Sequence, residues 1–168
     1  MKKEIYPFLF WTMLIFYLIL LIDLLFLSRG SYRSVNLIPF ETIRTYIHVD
    51  DGIRNKWVDV NVWGNILMFV PAGIYLMIFK GRTLKTFLII SGLSLGAEII
   101  QYLFAIGASD IDDLILNSFG GLIGIFIYLI LGKVFKNGHR VRKLITVVSA
   151  LVGIPVLCIS ILITIANW

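Results

Sequence analysis

A chain of 168 residues that is 59% hydrophobic and 15% charged, with a mean hydropathy of +0.93, lies far outside the range of soluble domains. The formal net charge of +5 would suggest nucleic acid for a soluble protein, but here the basic residues flank apolar runs, where they orient membrane helices, so no nucleic-acid partner is expected. The single cysteine, Cys158, sits inside an apolar run and leaves neither a disulfide framework nor a thiolate metal site.

Lys2 and Lys3 precede the first apolar run, Pro7 to Leu27. At ~1.5 Å per residue it is long enough to cross a hydrocarbon core of ~30 Å. It exceeds the ~7–15 residues of a signal-peptide core, and no A-x-A site follows, so it reads as a span. Asp23 breaks this run near its far end, either as an interfacial residue or as part of a polar site. Residues 28–59 form the longest polar segment; its SVNLIPFETI portion mixes apolar side chains with a proline and suits the membrane interface. Trp57 and Trp63 flank the second span, about 60–79, as aromatics at headgroup level do. Within that span Pro71 removes one helical hydrogen bond and predicts a kink. The third span covers about 86–106, the fourth about 114–131, and the fifth about 144–166. Gly120 and Gly124 form a GxxxG spacing that permits close helix contact. The expected fold is therefore all-α: one polytopic membrane domain over residues 1–168, a bundle of five transmembrane helices.

Orientation follows from Lys and Arg. With the N-terminus inside, residues 2–3, 80–85 and 133–143 hold ten of them and the outer loops hold five, which predicts N-in and C-out. Gln101 and Glu98 then lie five and eight residues below the outer end of the third span, about 8 to 12 Å deep. Asn117, Asn65 and Asp23 enter the same outer slab from the fourth, second and first spans. Asp110 and Asp113 stand at its mouth, and the helical period puts them on a stripe with Asn117.

Ionisable groups at membrane depth are costly and mark functional interiors by default. Glu98 has two readings. Protonated, it donates to Asn117 or Gln101 and locks the bundle; alternatively, with Gln101, it lines a pocket open to the outer leaflet. The expected binding set is Glu98, Gln101, Asp110, Asp113, Asn117, Asn65 and Asp23. The acids of DIDD could hold a hard cation through oxygen ligands, but the calcium-loop spacing is absent and a solvated acidic turn is the commoner outcome, so no metal or other cofactor is expected. His48 and His139 fall on opposite sides of the membrane, and neither a nucleophile motif nor a phosphate-cradling loop is present, so no catalytic residue is assigned.

Four motifs carry a resemblance: NLIPF at Asn36 to Phe40 with Thr42 and Ile43; N-x-x-x-F-x-P-x-G at Asn65, Phe69, Pro71 and Gly73; E-x-x-Q at Glu98 and Gln101; and D-x-x-D-x-x-x-N-x-x-G at Asp110, Asp113, Asn117 and Gly120. In this order the chain resembles the VanZ-like family, over about residues 36–124. The family pattern places an Arg three residues before the first Asp, where this chain has Gly107; a cationic partner for the acids must come from elsewhere, with Arg54 or Lys56 the expected sources. The resemblance implies lower susceptibility to teicoplanin-type glycopeptides. The expected mode is non-enzymatic, at the outer leaflet of a bacterial cell membrane, on a lipid-linked cell-wall precursor or the lipid-anchored drug, with membrane lipids as surroundings. The alternatives are an enzyme modifying an envelope lipid, with Glu98 and Asp113 as acid and base, and a small transporter.

Overall fold

The computed structural model describes residues 2–41, 44 and 60–166. Five long helices occur among them: α1 (Lys2–Ile22), α2 (Val60–Lys80), α3 (Thr83–Phe104), α4 (Ile111–Phe135) and α5 (Gly138–Ala166). A π-helical turn, Asp23–Leu27, extends α1. All five helices are long and apolar enough to cross a membrane, as expected of runs that must satisfy every backbone N–H and C=O internally. Most ends move outward from the expected bounds by a few residues, most at the start of α5, where polar residues before Leu144 join the first turns, whereas α3 ends at Phe104, two residues short of the expected 106. α2 continues as one helix through Pro71.

The chain divides into two compact units. One comprises Met1–Ile22 and Leu131–Trp168. In it α1 and α5 pack side by side from the same end: Arg142 lies over the Phe10 ring, and further along a Cβ at Gly153 would sit 3.2 Å from Met13 Sδ. Phe10, Met13, Val141 and Ile145 are buried.

The other unit, Asp23–Ile130, holds α2, α3 and most of α4. α4 approaches α2 at backbone distance. A Cβ on Gly120 would collide with the Ile66 carbonyl oxygen, one on Gly124 with that of Val70, and one on Gly73 with that of Gly121. Gly121 instead faces the Ile90 side chain of α3, where a Cβ would sit 2.6 Å from Cγ2. Small residues replace the hydrophobic effect as the source of helix association in lipid, since only close contact gains dispersion energy there.

α3 is polar inside and apolar outside. It buries Thr86, Ser94, Glu98 and Gln101 beside Ile90 and Ala97, and exposes Leu84, Leu88, Leu95, Ile99 and Leu103. Buried hydroxyls and amides on this stripe bond across to α4: Asn117 Nδ2 donates to Ser94 Oγ at 3.0 Å, and Ser118 Oγ to Ser91 Oγ at 3.0 Å.

The all-α expectation holds with one addition. Residues Arg33–Asn36 (β1) and Gly107–Asp110 (β2) pair as a two-stranded parallel sheet, Arg33 opposite Gly107 and Asn36 opposite Asp110. The short connection between the third and fourth spans therefore contains β2, and part of the long polar segment is its partner.

Candidate functional site

The site begins where α3 ends. Ala105 takes the left-handed conformation, its N–H and that of Ile106 returning to the carbonyls of Tyr102 and Gln101, so the helix stops and the chain turns at Gly107 (φ +85°) into β2. β2 presents Asp110, whose N–H donates to Glu98 Oε2 at 2.8 Å. Asp110 Oδ1 accepts from Asn36 Nδ2 at 3.0 Å and from the Asp112 N–H at 2.9 Å, the second bond satisfying an orphan donor at the start of α4. Asn36 in turn accepts the Ile38 N–H on its own Oδ1, and the Phe40 N–H donates to Asp112 Oδ1. Asp112 is fully buried by this. Two of the three clustered acids thus hold the NLIPF segment in place.

The third acid faces a cavity. Asp113 Oδ2 pairs with Arg29 Nη2 at 3.2 Å, and its Oδ1 accepts from Asn65 Nδ2 of α2. Arg29 Nη1 also reaches the Ala108 carbonyl at 3.5 Å, and its stem lies against Gly107, where a Cβ would sit 3.4 Å from Arg29 Cδ. The cation that the acids need comes from Arg29. The sources expected earlier, Arg54 and Lys56, lie outside the described residues, as do Thr42, Ile43, His48 and Trp57. At Gly107 the positive φ suits glycine, and the guanidinium stem fills the space beside it. The cavity holds about 540 Å³ and is lined by Arg29, Tyr32, Asn61, Asn65, Asp110 and Asp113 among others.

Glu98 lies on the other side of Asp110. It is 4% exposed and lines a second cavity of about 380 Å³, whose walls are Val35, Leu37, Ile99, Tyr102, Leu114 and neighbours. Asp110 borders both cavities. The expected site residues are therefore divided: Asn65 and Asp113 meet directly, Glu98 reaches them only through Asp110, and Gln101, Asn117 and Asp23 line neither cavity. Gln101 Nε2 instead donates to the Leu25 carbonyl at 2.9 Å, satisfying a backbone acceptor of the π-turn. Asp23 accepts from Ser28 Oγ at 2.9 Å, five residues on.

Chemically, the first cavity pairs one cation with two acids and surrounds them with amides and a phenol. The second is an apolar groove whose lining includes two carboxyl groups, those of Glu98 and Asp110. Among the described residues no three His, Cys, Asp or Glu side chains converge as a metal site would require. Arg29 escaped the sequence reading because a loop offers several equivalent cations. Its one distinguishing sign was position, as the first basic residue after the first span and nearest the polar slab.

The VanZ/LLP1 family profile matches residues 8–132, most of the chain. The chain belongs to the VanZ/LLP1 family. Protein VanZ of Enterococcus faecium is 35% identical over 127 residues, which is 74% of this chain and 68% of that relative. No solved structure matches. Each VanZ/LLP1 motif acquires a physical task here: NLIPF docks on Asp110 and Asp112, Asn65 holds Asp113, Gly73 and Gly120 let helix backbones touch, and Glu98 secures β2. With five spanning helices, this VanZ/LLP1 member is a membrane protein.

Proposed function

We propose that the protein lowers susceptibility to teicoplanin-type glycopeptides from the bacterial cell membrane, by non-covalent binding of a lipid-linked cell-wall precursor or the membrane-anchored drug. Family membership and the VanZ relative support the resistance role. The observation that carries the binding mode is the cavity of about 540 Å³ around Arg29 and Asp113. Its acids are already committed: Asp113 to Arg29 and Asn65, Asp110 to Asn36 and the Asp112 N–H. Carboxylates held this way present fixed acceptors and a fixed cation edge, which suits recognition of a polar headgroup better than proton transfer. Glu98, the partner an acid–base pair would need, lines the other cavity.

The cavity opens to the outer leaflet in this reading. The Lys and Arg balance supports it, and two of the five basic residues assigned outside are engaged locally, Arg29 with Asp113 and Arg33 with the Leu103 carbonyl and the Tyr102 ring.

The test is expression in a susceptible host, with teicoplanin susceptibility and the mass spectrum of envelope lipids read together. Protection with unchanged lipid composition is expected. A new covalent lipid species that depends on the protein would replace this reading with the enzymatic one.

A further inference from the structure

The end of the α1–α5 unit at which both helices begin carries a feature that the resistance reading does not use. His139, Arg142, Lys143 and Thr146 fall at i, i+3, i+4 and i+7, one face of α5, and with Tyr6 and Pro7 of α1 they line a cavity of about 70 Å³. The Arg142 guanidinium lies 4.1 Å from the Phe10 centroid, and the Lys143 ammonium 4.5 Å from that of Tyr6. Phe10 is 1% exposed, so the ring under Arg142 is fixed in the core.

Stacking uses the flat face of a guanidinium and leaves its N–H edge available for bidentate contact. Among the residues whose side chains are described, which leave out Lys2, Lys3 and Glu4 of α1, neither cation has a carboxylate partner; the ion pair found there is Arg29 with Asp113. The Thr146 hydroxyl is directed to the Arg142 carbonyl at 2.9 Å, which leaves the Arg142 and Lys143 cations, with His139 and the Tyr6 phenol, as the polar groups lining the cavity. Two like charges held side by side by aromatic rings repel, and an anion between them relieves that cost. The volume suits one small group, not a whole lipid. At the depth where a membrane helix begins, the abundant anion of that size is a headgroup phosphate, and basic pockets between helices are a recognised way of holding one.

We infer that Arg142 and Lys143, set on Phe10 and Tyr6, form a binding site for the phosphate of an anionic phospholipid headgroup. The site lies on α1 and α5 and is independent of the Arg29–Asp113 cavity. The lipid chains then lie along the exposed apolar surfaces of these helices, where Phe8 and Trp11 are exposed.

The test is native mass spectrometry of the full-length protein released from nanodiscs containing equal phosphatidylglycerol and phosphatidylcholine. The wild type should retain phosphatidylglycerol in preference. Arg142→Gln and Lys143→Gln should each lower that retention about tenfold, the worth of one charge-assisted contact. Arg140→Gln in the first turn of α5 and Lys136→Gln just before that helix remove equal charge without touching the cavity, and should leave retention unchanged. Equal loss in all four variants would reduce the effect to general surface charge and overturn the site, as would absence of any preference in the wild type. Free inorganic phosphate, added at millimolar concentration, should not displace the lipid; full displacement would overturn the assignment to a lipid. Melting temperatures of the four variants, read alongside, should match the wild type; a lowered value only in Arg142→Gln and Lys143→Gln would make these cations packing residues.

Discussion

Arg29 and Asp113, separated by 84 positions, meet at 3.2 Å and fasten the segment after the π-turn to the first turn of α4. Both are partly buried, at 22% and 15% side-chain exposure, so the pair is neither a free surface contact nor a fully desolvated one. Arg29→Gln should destabilise the protein by about 1–3 kcal/mol, because it leaves the Asp113 charge with Asn65 alone. Adding Asp113→Asn should recover part of that loss. Thermal unfolding in detergent of the two single variants and the double gives the coupling; strictly additive effects would mean that the pair contributes nothing.

Glu98→Gln separates packing from function. The amide oxygen still accepts from the Asp110 N–H, and Glu98 Oε1, where the new NH₂ would stand, accepts no hydrogen bond among the described residues. Protein level in the membrane should therefore stay at wild type while protection against teicoplanin is lost. Asp113→Asn should behave alike, and Glu4→Gln should be silent. Full resistance in both Glu98→Gln and Asp113→Asn at normal abundance would leave these carboxylates as packing.

The α2–α4 contact predicts a sharp contrast between glycines of one helix. Gly124→Ala drives a methyl into the Val70 carbonyl and should cost about 1–3 kcal/mol, with reduced abundance in the membrane. Gly132→Ala meets nothing within 4 Å and should be neutral or slightly stabilising. Equal melting temperatures for the two variants would contradict the close crossing.

Orientation is open to direct measurement. Reporter fusions after Asn137 should score cytoplasmic and fusions after Asp51 external. The reverse pattern would move the Arg29–Asp113 cavity to the inner leaflet and remove the proposed access to drug and precursor.

Five spans, a GxxxG spacing able to support close helix contact, and the polar residues that the membrane cannot leave unexplained are all legible in the sequence. Those signals are local: an apolar run of sufficient length has one stable solution in lipid, and Asn65, Glu98, Asp113 and Asn117 stand out because burial there is costly. How the polar residues are shared depends on contacts between distant segments. A parallel pairing of Arg33–Asn36 with Gly107–Asp110 joins two four-residue strands far apart in sequence and leaves no periodicity to read. That pairing places Asp110 between two cavities, separates Glu98 from Asp113 and sends Gln101 to the Leu25 carbonyl. The choice of Arg29 over other loop cations is likewise a matter of distance, since charge alone does not distinguish one arginine from another until the chain has brought one of them within reach.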